Sequence, residues 1–326
     1  MLNSLIFNSF SIVHCSLLSV HYIYPMSAER FKYYPPKFSN NVIYIAMLGL
    51  FLWFLATKGD AAWQWFMQRM SIETFVVGVG FTFYLVVFWV VGIPYLLLDK
   101  YRKPAWLYKY KIQDIPDERR KKASTNSLTK SILRVLFNQF FGTLPFLIGL
   151  VWVMKKMGYD PNIAIPVWWV ALLQLAGMML IEDVLFYTNH YFMHQKYLFK
   201  KFHKIHHEYR ESIAIATHHV HYVEHIAGNL IPVFTGVLIL QPHPFVVLFW
   251  ILIVVMNALH THSGYAFPWM SYSVHHDWHH YHVNGSFSAI GLMDAIFGTD
   301  KAFNKMKKGF RAQGSEVSSK TTDIAN

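Results

Sequence analysis

The sequence predicts an all-α integral membrane protein: transmembrane helical hairpins with a histidine-rich helical cap, built to hold two metal ions, on the cytoplasmic side. Three observations predict it. The 326 residues are 54% hydrophobic and only 14% charged, against about 25% charged in soluble domains. Apolar runs of bilayer-crossing length recur along the chain. Seventeen of the 19 histidines fall between His190 and His282. The aromatic share of 17%, rich in Trp and Tyr, suits a membrane interface.

Charge sets the orientation. The net charge is +11 with histidines neutral, and nucleic-acid binding is the other common source of such an excess. Here the basic residues flank apolar runs instead of lining one amphipathic face, so the positive-inside bias accounts for them and no nucleic-acid partner is expected. The single cysteine, Cys15, excludes an internal disulfide and a cysteine-based zinc site.

In chain order, residues 1–24 are mildly apolar but broken by Asn3, Asn8, His14 and His21. They lack a basic n-region and a small-residue cleavage site, so no signal peptide is expected. With the polar stretch Glu29–Lys37 they form an N-terminal segment, 1–40, whose role stays open. The runs Asn41–Thr57 and Ile72–Leu98 make a first hairpin. A strongly basic stretch, Asp99–Lys130, follows and belongs in the cytoplasm. Together these give an N-terminal unit, 41–130. Ser131–Met154 and Ile163–Phe186 form a second pair, which returns the chain to the cytoplasm at His190. Ala227–Leu240 and Pro244–Leu259 make a third hairpin, each arm shorter than the ~20 residues of a full span. Whether it crosses tilted or dips and returns, it ends where it began, near His260 and His262. Span parity therefore brings every histidine group to one side. Residues 131–304 form the catalytic unit, and 305–326 a basic, then polar, tail of disordered composition.

Three histidine groups repeat a tight spacing: His190-x3-His194, His203-x2-His206-His207 and His276-x2-His279-His280. Helical positions three and four apart share a face, so each group can aim two or three imidazoles at one point. A lone histidine is most simply an interior or surface residue, but three such groups bracketing apolar hairpins point to metal. Imidazole ligates iron, zinc, copper and nickel, and the set is too large for one tetrahedral ion. Two metals are the natural reading. Candidate ligands are those eight with His221, His225 and His262; His218, His219, His260, His275 and His282 are less placed, and His243 is expected outside the site. The chain has neither His-Glu-x-x-His nor Glu-x-x-His, which excludes a zinc-protease helix and a carboxylate-bridged di-iron bundle. Ligating histidines need their second nitrogen oriented; Asp277, Glu182 and Asp183 are the candidates. Iron held by nitrogen beside a lipid-lined cavity can activate dioxygen and oxidise an unactivated C–H bond, with water kept out. A histidine-rich metal-binding or transport protein without redox chemistry is the alternative of another class.

These groups, read as HYFMH (190–194), HKIHH (203–207) and HHDWHH (275–280), resemble the boxes of the fatty acid hydroxylase/sterol desaturase superfamily. EDVLFY (182–187), HYVEH (221–225), HSGYAFPW (262–269) and FGTD (297–300) extend the resemblance over residues 130 to 300. It looks nearest to the C4-methylsterol oxidases and fatty acid hydroxylase domain-containing relatives; cholesterol 25-hydroxylase shares HSGY. The resemblance implies an endoplasmic reticulum enzyme with two Fe ions and O2 as co-substrate. Its electrons would come from NAD(P)H through cytochrome b5 and its reductase, and its substrate would be a sterol or acyl lipid. No His-Pro-Gly-Gly motif is present, so a separate donor is implied. Asn189 and Gln195-Lys196 flank the first box where relatives often carry Arg, and the pair His218-His219 is additional.

Overall fold

In a bilayer every backbone polar group must be satisfied within its own segment, and long apolar runs accordingly become helices. The computed structural model describes residues 41–113, 128–160, 163–270 and 273–309. Among them there is no strand, only an isolated bridge between Lys111 and Tyr265. The N-terminal segment 1–40, residues 114–127 of the basic run and residues 310–326 of the tail lie outside the described residues.

Among the described residues six helices are long and apolar enough to cross a membrane: α1 (Val42–Met67), α2 (Thr74–Tyr101), α3 (Leu128–Lys156), α4 (Trp168–Met193), α5 (Tyr222–Leu240) and α6 (Pro244–His262). The fold is thus multi-pass and all-α, as expected. Two boundaries differ from expectation. Helix α1 runs ten residues past Thr57, through Lys58 and Asp60. Helix α5 starts at Tyr222, because Glu224 and His225 are drawn into its first turns despite their polarity. Both arms of the third hairpin therefore reach 19 residues, close to a full span.

The helices pack through aromatics and small residues. Phe51 of α1 stacks on Phe249 of α6 at 4.1 Å, and Trp63 meets both Phe75 and Phe245 edge-on. Helices α4 and α5 approach closely at Gly236, where an added methyl would sit 2.9 Å from Met178 Cα. Trp152, Trp168, Trp169 and Leu173 point outward, as lipid-facing positions do. Turns of π-helix interrupt α2 (Thr74–Val79), α3 (Asn138–Thr143) and α5 (His225–Leu230); such turns frequently mark functional sites.

At one end of the bundle the chain builds a cap. It consists of the last residues of α4 and α6, the first of α5, a short helix Lys196–Lys201, the 3₁₀ turn His203–Glu208, and helices α7 (Ser273–His282) and α8 (Leu292–Phe297). Two polar clasps hold it. The buried Lys111 ammonium meets Asp99 at 2.7 Å and the Ser263 carbonyl at 3.3 Å, while the Gln113 amide donates to Arg210 O and to both oxygens of Asp277. On the other flank Asp183 accepts from Ser288 Oγ (2.6 Å), Ile290 N (2.9 Å) and Met293 N (3.0 Å), and Asp294 accepts from Phe287 N and Ser288 N.

Candidate metal centre

Nine buried histidines gather into two adjoining clusters. His190, His194, His203, His207 and His279 form one; His206, His262, His276 and His280 form the other; within each, the nitrogens lie within 4.8 Å of one another. The clusters touch: the His207 and His280 rings are 4.9 Å apart, and those of His203 and His206 5.2 Å.

Each box does aim two imidazoles at one point, as its spacing allows, but only the first sends all of its histidines to one cluster. His190 and His194 close the last turn of α4 and share the five-histidine cluster. The other two boxes divide. On α7, His276 and His280 join the four-histidine cluster and His279 the five; in the 3₁₀ turn, His203 and His207 join the five and His206 the four. Each i, i+4 pair stays together and the i+3 residue crosses over. His262, at the end of α6, completes the smaller cluster.

Backbone carbonyls fix which ring nitrogen is free. His190 Nδ1 donates to Phe287 O (2.8 Å), His279 Nδ1 to Gly285 O (2.6 Å), His280 Nδ1 to Tyr209 O (3.1 Å) and His262 Nδ1 to Ala258 O (2.8 Å). His203 Nδ1 donates to Glu224 Oε1 at 2.5 Å. Each of these five rings then turns an unprotonated Nε2 toward its cluster. Burial first, and then the neighbouring imidazoles, hold His194, His203, His206, His207, His276, His279 and His280 well below the usual histidine pKa, with backbone hydrogen bonds opposing the shift at His194, His279 and His280. Neutral imidazole is the form that ligates metal.

The spacing fits a cation. Nitrogens about 2.1 Å from one ion are about 3.0 Å apart at right angles and about 3.4 Å apart at the tetrahedral angle. Nε2 separations are 2.9, 3.3 and 3.0 Å among His194, His203 and His207. They are 2.8, 3.3 and 3.0 Å for His262–His276, His262–His206 and His276–His280. Lone pairs this close repel without a positive charge between them, and the Nε2 atoms of His190 and His279 are buried with no protein partner. The donor set therefore suits two ions.

Other expected site residues stand apart. His221 caps α5, its Nδ1 accepting from Val223 N, and His225 hydrogen-bonds to Thr143 Oγ1 at 2.9 Å; neither belongs to a cluster. Asp277 is engaged by Gln113, and Asp183 by the 288–293 turn. Glu182 faces the cavity described next. Glu224 is a carboxylate that orients a ligand, His203. Its signal was present in HYVEH, but nothing in the sequence pairs it with His203, 21 positions away. His219 bonds to Glu208, His260 to Tyr95, His282 to Trp278 O, and His243 caps α6 at the far hairpin tip. His218 bonds to Tyr84 OH and stacks on Phe88.

Beside the clusters lies a cavity of about 140 Å³. Its body is walled by Leu147, Leu230, Val233, Phe234, Ile251 and Val254; its inner end by His190, His203, His206, His262 and His276, with Glu224, Asn189 and Asn229 among them. An apolar chamber opening on two histidine clusters can hold a hydrocarbon against a metal centre and exclude water.

Residues 175–299 match the Fatty acid hydroxylase family. Fatty acid hydroxylase domain-containing protein 2 of Homo sapiens is 31% identical over 220 residues, covering 68% of this chain and 65% of its own length. Methylsterol monooxygenase 2-2 of Arabidopsis thaliana is 29% identical over 269 residues, covering 78% of this chain and 96% of its own. Very-long-chain aldehyde decarbonylase GL1-11 of Oryza sativa subsp. japonica is 30% identical over 269 residues, covering 77% and 96%. The chain thus spans just under two thirds of the length of the human relative and nearly all of the two plant ones. No solved structure matches. Box spacing, helical architecture and alignment across almost the whole of the plant relatives agree: the chain belongs to the fatty acid hydroxylase family.

Proposed function

We propose that this chain is a membrane-bound di-iron oxidoreductase that uses O2 to hydroxylate a lipid, in the manner of a C4-methylsterol monooxygenase. The observation that carries the reading is the pair of adjoining five- and four-histidine clusters opening on an apolar cavity. Five nitrogens exceed the four of a structural zinc site, which favours iron. When bound, iron supplies dioxygen activation and oxidation of an unactivated C–H bond. Overall, C–H, O2, two electrons and two protons give C–OH and water. The electrons come from NAD(P)H through cytochrome b5 and its reductase.

The chain's own part is positional. The carbonyls of Phe287, Gly285, Tyr209 and Ala258 and the Glu224 carboxylate set the imidazole tautomers. The cavity wall orients the lipid and keeps water from the centre. The basic residues after α2 support clusters that face the cytoplasm, and the family resemblance supports an endoplasmic reticulum membrane. Ligands gathered at one end of the spans, instead of near the bilayer midplane, argue against metal transport. The family match favours a second reading, in which the lipid is a fatty acyl or sphingoid chain that is hydroxylated or desaturated.

The test is anaerobic Fe(II) reconstitution, metal counting, then O2 and reductant with a panel of C4-methylsterols and acyl lipids. Oxidised lipid is expected from the wild type and none from His206→Ala or His279→Ala; unchanged turnover in either variant overturns the reading.

A further inference from the structure

Resting on the oxidase reading, we infer that the cavity takes an uncharged lipid bearing a free hydroxyl next to the carbon offered to the histidines, and that Glu224 accepts that hydroxyl. A chamber for plain hydrocarbon needs only its apolar body. This one carries a polar collar at the end where the clusters open. Glu224 is 5% exposed; Oε1 takes the His203 Nδ1–H at 2.5 Å, while Oε2 is buried without a partner in the cavity wall. Leaving a buried polar acceptor unpaired costs about 1–3 kcal/mol, and more when it is charged, so a donor from the ligand is the natural complement.

Asn189 stands beside it. A methyl group added at Gly228 would lie 3.1 Å from Asn189 Oδ1 and 3.7 Å from Glu224 Cγ, so the two side chains meet over the α5 backbone where glycine leaves room. No hydrogen-bond partner engages the Asn189 amide among the described residues. Asn229, also in the wall, spends its amide on Thr217 O. The collar therefore offers a free carboxylate oxygen with a carboxamide next to it.

Position defines the ligand. Glu224 is separated from the five-histidine cluster by one imidazole, that of His203, so a hydroxyl held on Oε2 brings its neighbouring carbons to the centre. A remote methylene of a long chain would leave the collar empty. Charge narrows the choice further. His203, with Nε2 turned to the cluster, keeps its proton on Nδ1, so Glu224 is the acceptor. A fatty acid carboxylate accepts hydrogen bonds only, so it has no hydrogen to offer Oε2, and it is costly to bury at this end of the cavity.

The test compares matched pairs with the metal-loaded full-length protein in nanodiscs, under anaerobic conditions so that binding is read without turnover. The probes are a C4-methylsterol and its methyl ether, hexadecanol and its methyl ether, and palmitate. The wild type should bind at least one alcohol about tenfold or more tighter than its ether, which is about 1.4 kcal/mol, and should bind palmitate more weakly than hexadecanol. In Glu224→Gln the amide oxygen can keep His203 while the NH2 group turns to the cavity, so the alcohol-to-ether ratio should fall to near one. A purely structural glutamate would instead lower metal content and weaken both members of a pair equally. Equal wild-type affinity for both alcohols and their ethers overturns the inference with no variant needed, as does an unchanged ratio in a metal-loaded Glu224→Gln. Adding O2 and reductant to the same samples separates the two claims. Oxidised lipid without alcohol preference sinks this inference and leaves the oxidase. Alcohol preference without product in any arm sinks the oxidase and leaves the binding site.

Discussion

Replacing Asp183 by alanine should loosen the metal centre although Asp183 touches no histidine. Its carboxylate, 0% exposed, holds Ser288 Oγ and the backbone of Ile290 and Met293. That turn carries Phe287 and follows Gly285, whose carbonyls orient His190 and His279. Hydrogen bonds to a charged group contribute about 1.5–3 kcal/mol each, but three sharing one carboxylate are not additive. A loss of about 3–5 kcal/mol is expected, near that of breaking a buried ion pair. Groups that orient ligands are worth about 10–100-fold in metal affinity, and two of the nine imidazoles depend on this turn. The assay is a competitive titration of purified protein against a chromogenic chelator, with thermal melting in parallel. Asp183→Asn, keeping one acceptor oxygen, should fall between the wild type and alanine. Wild-type metal affinity in Asp183→Ala would refute the reasoning, whatever the melting temperature does.

Three other outcomes follow from the same geometry. His221→Ala should keep the full metal complement, because that ring caps α5 and faces neither cluster; metal counting checks it, and a lost equivalent would restore His221 as a ligand. Acid should strip the centre: the seven cluster histidines outside the spans have folded pKa values depressed below the free value near 6.5, so the unfolded or open chain binds more protons. Stability and metal affinity should thus be full above pH 6.5 and fall as pH drops below it, by about 1.4 kcal/mol per pH unit for each such group, read by melting and metal release across pH 5–8. Gly236→Ala should destabilise the α4–α5 contact by about 1–3 kcal/mol, since the new methyl meets Met178 backbone at 2.9 Å and no side-chain rotation relieves it; a melt unchanged from wild type would show that the helices can part.

The spans and boxes were legible because each is a local pattern: apolar runs of fixed length, and histidines at helical spacing. His262 could be included from its phrase alone. What the sequence did not disclose were partnerships across the chain. Three acids near the boxes looked equally fit to orient an imidazole, yet Asp277 is drawn to Gln113 from the basic stretch and Asp183 to the 288–293 turn. Glu224 reaches His203 only because α5 starts beside the second box. His221 and His225 sit in a box-like phrase, but the π turn at His225–Leu230 aims His225 at Thr143 of α3, away from the clusters.

The box spacing itself encodes two centres. On an α-helix, positions i and i+4 differ by about 40° and i+3 falls about 60° to the other side, so His276 and His280 can share one ion while His279 faces away from it. In a 3₁₀ turn, i and i+3 lie one above the other, about 6 Å apart along the axis. His203 and His206 stack in this way, their rings near-parallel with centroids 5.2 Å apart, and each serves its own cluster. Each His-x2-His-His box is thereby a bridge, whereas His-x3-His serves one cluster. It follows that the crossing residues can be removed one centre at a time. His206→Ala leaves three imidazoles in the smaller cluster and the larger untouched; His279→Ala leaves four in each. Metal titration of His206→Ala should show one site at wild-type affinity and one weakened by more than tenfold, with a smaller loss in His279→Ala confined to the other site. Uniform weakening of both sites in both variants would mean that the nine histidines act as a single pool, and the division into two clusters would have no chemical meaning.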